Sequence, residues 1–494
     1  GRSFKYHRPR GIISAGPEEP NAIVQLESGE ITEPNVRATE IELYEGLSAT
    51  SQNNWPSVNF DLGSINDLLS PFIPAGFYYK TFMWPPTFWK KYEYFIRRAA
   101  GLGKSPTKDD PDHYEHFHYH CDILIVGGGI SGILAAITAA KVNLKVLLIE
   151  QNTELGGDLL NVNRKNLELD NSNPDIVQQY LLNILNFSEN IKIIKNTTVF
   201  AYMHHNYLLA CQKLKNKNKK QIIWKIRTKK VVLATGSIER FLTFDNNDRP
   251  GIMLANSARK YLNYYRTNVG KKIVIFTNND SAYQTAIDFS CNGDNVKAVV
   301  DVRKNSEGDL VKKAKKLGIK IFFNYAVTNT KGRKKINSVI INKLDEKLKK
   351  IISTSRNISC DLLCVSGGWT PTVNLFSQSR GKLIYRESDA TFIPEQSFQD
   401  EISIGSCNGT FELGEIFEET SKKMIKLLSE MGKKIDKSSF LMPMSNQDSI
   451  NPFGRENILE IKKSFNDKMQ NIWIVPSNKH FGKTKMFVDF QNDV

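Results

Sequence analysis

The sequence predicts an α/β protein built on mainly parallel sheets. From Cys121 onward, strands rich in β-branched residues alternate with amphipathic helices, a pattern typical of that class. A second unit of the same kind begins near residue 271 and ends near residue 360, and the chain then returns with further strand-like and helical stretches. This order predicts one α/β domain, residues 120–270 and 361–430, that is interrupted by a second, residues 271–360.

Three other segments differ in composition. Residues 1–48 are short strand-like pieces between Pro, Gly and Asn turns, which predict a small β-rich module. Residues 49–119 are rich in aromatic residues and proline, with one helix near 86–100, and we expect this strap to pack across another subunit or across its own neighbouring domain. Residues 431–494 are polar and irregular and predict a linker. Because the chain opens without methionine and stops at "FVDFQNDV" without a terminal helix or tail, we expect a piece of a longer polypeptide that lacks both ends, including a C-terminal region.

A glycine-rich turn opens the first domain. The strand "CDILIVG" leads into Gly127, then Gly129, Ser131 and Gly132, a helix, and a second strand that ends at Glu150. Gly127 suits the tight turn, Gly129 lets the backbone approach a pyrophosphate, and Gly132 allows close packing of helix on strand. The helix N-terminus offers free N–H groups to phosphate, and Glu150 suits the ribose hydroxyls. The pattern predicts a Rossmann domain that binds an ADP-type moiety.

Two further turns refine this prediction. Gly156 and Gly157 follow the second strand, where flavoproteins bring the backbone near the pyrophosphate, and Thr235 and Gly236 stand at a strand end. The combination indicates an oxidoreductase with two dinucleotide-binding domains, although each turn alone is compatible with an ordinary β-turn. No cysteine pair follows Gly157, so disulfide reductase chemistry is not expected.

The second domain lacks the glycines of the first. Its strand-to-helix turn is "TNNDSAY", residues 277–283, and we expect the side chains of Asn279 and Tyr283 to occupy the space that a pyrophosphate needs. A degenerate turn that keeps the fold but binds no nucleotide is the preferred interpretation; a second nucleotide site with a different cradle is the alternative.

Composition excludes several classes of function. The formal net charge is +15, but the lysines are scattered and not gathered on one face, so no nucleic-acid partner is expected. The apolar run 123–140 is nearly long enough for a bilayer, yet its three adjacent glycines indicate strand, turn and helix, and no membrane partner is expected. Widely spaced cysteines suit free thiols in a reducing, cytoplasmic compartment; Cys360 and Cys364 alone allow a zinc half-site or redox pair as an alternative.

No residue has a credible role as catalytic acid, base or nucleophile. The run "HYEHFHYH" would place His116, His118 and His120 on one face of a strand, but no carboxylate or cysteine pattern completes a metal site. Surface histidines are the preferred interpretation, and metal binding is the alternative.

Eight further stretches carry a more specific pattern. In chain order they are "GRSFKYHRPRGI", "EEPNAIVQLESG", "EPNVRATEIELYEGL", "SINDLLSPFIPAGFYYKTFMWP", "RRAAGLGKSP", "TNNDSAY", "GGWTPTVNLFSQSRGKL" and "FVDFQNDV". Together these stretches resemble one family, the α subunit of heterotetrameric sarcosine oxidase. They extend along essentially the whole chain and are more specific than the glycine fingerprint.

The resemblance implies a complex of α, β, γ and δ subunits that oxidises sarcosine to glycine at an FAD on the β subunit. Electrons would pass to FMN at the interface with β, where oxygen would be reduced to hydrogen peroxide. Tetrahydrofolate would capture the carbon as 5,10-methylenetetrahydrofolate in a C-terminal domain, which we expect to lie outside this sequence. The site of Gly127, Gly129, Gly132 and Glu150 would hold NAD in a structural role. The first module resembles a β-grasp ferredoxin-like domain, but no cysteine precedes Cys121, so no cluster is expected.

Two alternatives stay open. The chain could be the α subunit of an opine- or proline-dehydrogenase-like complex, with FAD in the first domain. It could also be an assembly scaffold without catalytic function, which the intact stretch from Gly127 to Gly132 with Glu150 disfavours.

Overall fold

The structure is a computed structural model. It describes residues 2–3, 6–16, 19, 22–28, 31–69, 72, 81–110, 112–161, 188–214, 219–345, 351–352, 355–387 and 390–434. The predicted linker lies outside the described residues from residue 435 onward.

A small antiparallel sheet forms the N-terminal module. Its strands, in the spatial order β2-β1-β3, are β1 (Ile23–Ser28), β2 (Ile31–Arg37) and β3 (Ser48–Ser51). Val24 on the central strand pairs with Val36 on one side and Ser51 on the other. The module therefore has the β-rich character that its turn-rich sequence predicts.

The aromatic strap that follows has two short helices in its described part, α1 (Ile65–Leu68) and α2 (Trp89–Ala99). Helix α2 matches the helix expected near 86–100 and contains no buried residue, whereas α1, a single turn, was not expected. Trp84 is 80% exposed and Phe95 is 67% exposed. The strap thus leaves large apolar side chains uncovered in this chain.

The first large sheet has seven strands in the described part of the chain. Six follow the order β6-β5-β4-β9-β8-β7, and the seventh, Glu401–Ser403, pairs with β9. The bounds are β4 (His113–Val126), β5 (Val146–Ile149), β6 (Ile191–Ile194), β7 (Thr197–Met203), β8 (Tyr207–Lys213), β9 (Lys219–Leu233) and β22 (Glu401–Ser403). β6, β5, β4, β9 and β22 pair in parallel. β4 begins at His113, inside the range predicted for the strap.

Among the described residues, the second large sheet has five parallel strands in the order β11-β18-β12-β13-β14. They are β11 (Ile252–Leu254), β12 (Lys272–Thr277), β13 (Asn295–Asp301), β14 (Ile321–Phe323) and β18 (Leu362–Ser366). β11 and β18 lie outside the range 271–360 expected for the inserted unit. The three-residue β11 is too short to show a strand periodicity in sequence, and it is defined by its pairing with Leu363 to Val365.

Smaller strands complete the described fold. A three-stranded antiparallel sheet contains β15 (Tyr325–Gly332), β16 (Ile336–Lys343) and β17 (Arg356–Ser359), and two strand pairs join β10 (Ser237–Glu239) to β19 (Trp369–Pro371) and β20 (Lys382–Arg386) to β21 (Thr391–Gln396).

Helices cover both large sheets. Helices α3 (Ile130–Ala140) and α8 (Leu413–Glu430) contribute to one core with the first sheet, and α4 (Ala255–Asn263), α5 (Ser281–Cys291) and α6 (Asp309–Lys316) to another with the second. Helix α7 (Asn374–Gln378) packs on the far face of the first sheet. Among the described residues, no helix is long and apolar enough to cross a membrane.

Candidate functional site

A cavity of about 780 Å³ opens at the carboxyl ends of β4, β5 and β9. This is where α/β sheets bind ligands, and the volume lies within the usual range for ligand pockets. Eight of the nine residues that the sequence selects line the cavity, namely Gly127, Gly129, Ser131, Glu150, Gly156, Gly157, Thr235 and Gly236. The structure therefore brings three separate sequence motifs together around one space.

The ninth residue, Gly132, has a packing role. A Cβ at Gly132 would lie 1.9 Å from the carbonyl oxygen of Gly127, so helix α3 can approach the turn only because this position is glycine. Gly127 itself has φ +107°, and its Cβ would lie 2.2 Å from the carbonyl oxygen of Ala234. Both glycines thus allow close contacts between backbone segments.

Two glycine segments cross above the start of α3. The N–H of Gly156 donates to the carbonyl oxygen of Gly128 (2.8 Å), and a Cβ at Gly157 would lie 3.1 Å from the Cα of Gly129. Gly129 is the N-cap residue of α3, and no side chain at this position accepts a hydrogen bond from the helical N–H groups. A Cβ at Gly129 would have no neighbouring heavy atom within 4 Å. An open space over uncapped helical N–H groups fits the pyrophosphate of a dinucleotide.

Glu150 is buried at the end of β5. Its Oε2 accepts a hydrogen bond from the N–H of Gly128 (2.7 Å), and its Oε1 accepts from the N–H and the side-chain amide of Asn152 (both 2.8 Å). Each carboxylate oxygen can accept further bonds. The carboxylate is therefore held beside the glycine turn, in the position from which it could receive ribose hydroxyls.

Thr235 and Gly236 connect the two domains. The hydroxyl of Thr235 donates to the carbonyl oxygen of Thr372 (2.7 Å), and the N–H of Thr372 donates to the carbonyl oxygen of Gly236 (3.0 Å). Gly236 has φ +76°, which favours glycine. Hydrogen bonds thus join the segment that leaves the first domain to the segment that returns to it, where both border the cavity.

The turn after β22 was missed by the sequence reasoning. Gly405 has φ +71°, and its Cβ would lie 2.2 Å from the hydroxyl oxygen of Ser131. Ser406 lines the cavity. The glycine in "SIGSCNG" was the available signal, but only the fold brings it against α3.

A second missed group forms an acidic end of the cavity. The N–H of Asn256 donates to Oε2 of Glu239 (2.8 Å), and its side-chain amide donates to Oδ1 of Asp158 (3.2 Å), so the two carboxyl groups share one neighbour. Burial raises the pKa of Glu239 to about 8; hydrogen bonds from Ser366 and Asn256 oppose this increase, and the charge of Asp158 adds to it.

The degenerate turn of the second domain is filled by its own side chains. Asn279 donates through its amide to the hydroxyl of Ser366 (3.0 Å). Tyr283 differs from expectation: its ring is fully buried in the core beneath the turn, and its hydroxyl donates to Asp301 (2.8 Å). An aromatic ring gains more free energy from burial between its helix and the sheet than it would from a position over the turn.

Buried ion pairs of Arg303 also occupy the region next to this turn. Nη2 of Arg303 lies 2.5 Å from Asp280 and 2.7 Å from Asp301, the residue that ends β13. Burial lowers the pKa of Arg303, but the two aspartates more than offset this and raise it well above its ordinary value. The acid that ends the second strand of this unit is therefore neutralised within the protein.

His116, His118 and His120 and the pair Cys360 and Cys364 do not line the cavity. His116, His118 and His120 are exposed on alternate positions of β4. Cys360 and Cys364 are buried in different cores, and burial raises the pKa of the Cys360 thiol to about 12. Within the described ranges, no group of His, Cys, Asp and Glu side chains could hold a metal ion.

Two family models match the chain. The model for pyridine nucleotide-disulphide oxidoreductase matches residues 121–392, and the model for a 2Fe-2S iron-sulfur cluster binding domain matches residues 1–54. They confirm the predicted fold class, in which a ferredoxin-like module precedes a dinucleotide-binding oxidoreductase fold. Residues 1–54 contain no cysteine, so they offer no thiolate ligand to a cluster.

Curated relatives match most or all of the chain. It is 36% identical over 502 residues to sarcosine oxidase subunit alpha of Rhizobium meliloti (strain 1021), a match that covers 100% of this chain and 47% of that protein. It is 32% identical over 427 residues to the subunit of the same name from Corynebacterium sp. (strain U-96), over 83% of this chain and 38% of that protein. The chain thus spans less than half the length of these relatives.

Among solved structures, the thioredoxin reductase of T. acidophilum is similar, with a TM-score of 0.50 and 18% identity over 64% of this chain and 99% of that chain. At this identity the similarity supports the fold alone.

Proposed function

Because the chain belongs to the family of sarcosine oxidase α subunits, we propose that it is the dinucleotide-binding part of such a subunit, in a complex that oxidatively demethylates sarcosine to glycine. The observation that carries the proposal is the cavity formed by the fingerprint glycines over the uncapped N-terminus of α3. The complex would release hydrogen peroxide and, with tetrahydrofolate, form 5,10-methylenetetrahydrofolate in the cytoplasm.

The cofactor proposed for the cavity is NAD. Gly129 and Gly157 would admit the pyrophosphate, and Glu150 would bind the adenosine ribose. The carboxylate of Asp158 at one end of the cavity supports this choice, because a carboxylate stabilises the cationic ring of oxidised nicotinamide. FAD is the competing occupant.

A structural role for this NAD agrees with its surroundings. Helix α4 begins with Ala255, Asn256 and Ser257, so no thiol pair borders the cavity there. The second domain's turn is filled by Asn279 and the ion pairs of Arg303, which opposes a second nucleotide that could exchange hydride with the first. Bound NAD would supply hydride-transfer chemistry only if a reductant could reach it.

Catalysis would then lie with partner subunits. We propose β, γ and δ subunits as partners and FMN at the interface with β, with sarcosine and tetrahydrofolate as ligands of the whole complex. The exposed side chains of Trp84 and Phe95 support an interface on the strap, because large exposed apolar groups mark surfaces that bind other proteins.

The substrate can be tested in the assembled complex. Purified complex is mixed with sarcosine, proline or an opine, and hydrogen peroxide and reduced artificial acceptor are measured separately. Peroxide release with sarcosine as the preferred substrate is expected. Activity confined to proline or opines, without peroxide, would assign the chain to a dehydrogenase-type complex.

A further inference from the structure

The N-terminal module supplies part of the cavity wall. Ala15 and Gly16 line the cavity, as do Arg37 and Glu40 at the end of β2 and in the turn that follows it. Residues 1–54 match a cluster-binding domain but include no cysteine, and a contribution to the cavity wall is a role that these residues can have without a cluster.

One part of this wall is fixed to the edge of the second sheet. The N–H of Leu254 donates to the carbonyl oxygen of Ile13 (2.8 Å), and the N–H of Ala15 donates to the hydroxyl of Ser257 (3.1 Å). The side chain of Ile13 belongs to the core of the second sheet. Since Asn256 contacts both Glu239 and Asp158, this part of the module borders the acidic end of the cavity.

The other part reaches the opposite end. Glu40 accepts from Arg37 (2.9 Å) and forms an ion pair with Lys213 of β8 (2.9 Å). The N–H of Lys213 donates to the carbonyl oxygen of Asn196, and the neighbouring Thr197 N–H donates to the carbonyl oxygen of Glu150, both over 2.9 Å. The Glu40–Lys213 pair therefore lies close to the proposed ribose site.

Glu19 joins the two parts. Its Oε2 accepts from the N–H groups of Ile13 (3.0 Å) and Ser14 (2.6 Å), and its carbonyl oxygen accepts from the hydroxyl of Thr39 (2.8 Å). The side chain is almost fully buried. Because one residue holds both segments, they form a single wall with contacts near both ends of the cavity.

A buried ion pair anchors this wall to the body of the protein. The guanidinium of Arg8 donates to both carboxylate oxygens of Asp248, over 2.6 Å and 2.8 Å, and both residues have side-chain exposures of 9%. Two parallel hydrogen bonds to one carboxylate fix orientation as well as distance.

We propose that the N-terminal module closes the dinucleotide cavity and slows the release of its ligand. The inference rests on the proposed function, and it assigns residues 15–16 and 37–40 as positioning residues for a retained dinucleotide. A ligand that leaves past this wall must break contacts of the module, so we expect loosening of the wall to raise the dissociation rate of the ligand.

Release rates of radiolabelled NAD from the intact complex test this inference. Lys213→Ala removes the exposed pair with Glu40 and should speed release by up to about fivefold. Arg8→Ala removes the buried anchor and should speed it more than about tenfold, with faster limited proteolysis of residues 1–48. Lys229→Ala is the matched control, since it breaks an exposed ion pair with Asp122 on the same sheet, away from the cavity (2.8 Å).

Two results would overturn the inference. The first concerns an unmodified complex that contains NAD. If both variants release NAD at the rate of the unmodified complex, although proteolysis shows that Arg8→Ala frees the module, the wall has no retaining role. If the unmodified complex holds neither NAD nor FAD, the proposed function fails and the inference fails with it. Lys213→Ala keeps the test decisive should Arg8→Ala not fold.

Discussion

The carboxylate of Glu150 accepts a hydrogen bond from the N–H of Gly128 over 2.7 Å, which links the end of β5 to the glycine turn after β4. The same carboxylate holds Asn152 through two further bonds. One side chain thus fixes the two loops between which the adenosine half of a dinucleotide is proposed to bind.

Glu150→Gln should weaken dinucleotide binding. The NH₂ group of the glutamine amide would face one of the N–H groups that now donate to the carboxylate. The amide would also lose the charge-assisted hydrogen bonds to the ribose. Together these losses should cost about 1–3 kcal/mol of binding free energy. Titration calorimetry with protein stripped of nucleotide measures the change. Glu401→Gln, which alters another buried carboxylate outside the cavity, should leave the affinity unchanged; equal losses in both variants would rule out a specific role for Glu150.

Arg303→Met should strongly destabilise the second domain. The side chains of Asp280 and Asp301 are fully buried, and loss of their shared partner would leave uncompensated charge, at about 3–5 kcal/mol. Urea denaturation measures the free energy of unfolding, and Arg356→Met at an exposed position of β17 is the control. A decrease in the free energy of unfolding of less than about 1 kcal/mol would contradict a stabilising role for these buried ion pairs.

Glu239 should make stability depend on pH. Its pKa is raised from 4.5 to about 8 in the folded state, so the folded protein holds this proton more tightly than the unfolded chain does. The stabilising contribution is complete below about pH 4.5 and is lost as the pH rises through about 8, a change of a few kcal/mol.

Denaturation of the nucleotide-free protein from about pH 5 to about pH 9 measures this slope. Glu239→Gln should flatten it, whereas Glu395→Gln at an exposed position should preserve it. A slope that survives in Glu239→Gln would show that other groups cause it.

Trp84→Ala should weaken assembly and leave the chain stable. Trp84 is 80% exposed, so its loss should change the free energy of unfolding by less than about 0.5 kcal/mol. A tryptophan buried at an interface typically contributes at least about 2 kcal/mol, so co-purification of partner subunits should fall sharply. Phe398→Ala, an exposed aromatic residue outside the strap, is the control. Unchanged assembly would argue against the strap as an interface.

The sequence predicted the glycine turns because their function depends on local backbone geometry. Gly127 and Gly236 have positive φ, and Gly132 needs the absence of Cβ, so the residue type reports the conformation directly. The fold class followed from periodicity over long stretches, and it is confirmed by the matched family models.

The contacts between distant segments could not be predicted in this way. Arg303 lies 23 residues from Asp280, and Glu40 lies 173 residues from Lys213, so only the folded chain identifies either pair. Tyr283 shows a different limit: its place next to the turn suggested that it covers the turn, but burial in the core determined its orientation.

The identity of the bound nucleotide tests the central proposal most directly. Protein that contains this chain is purified without added cofactor and separated from its partner subunits, the chain is denatured, and the released nucleotide is identified by chromatography and absorbance. One equivalent of colourless NAD per chain is the expected result. Yellow FAD in that position, or no nucleotide at all, would contradict the proposal that the glycine-lined cavity holds NAD in a structural role.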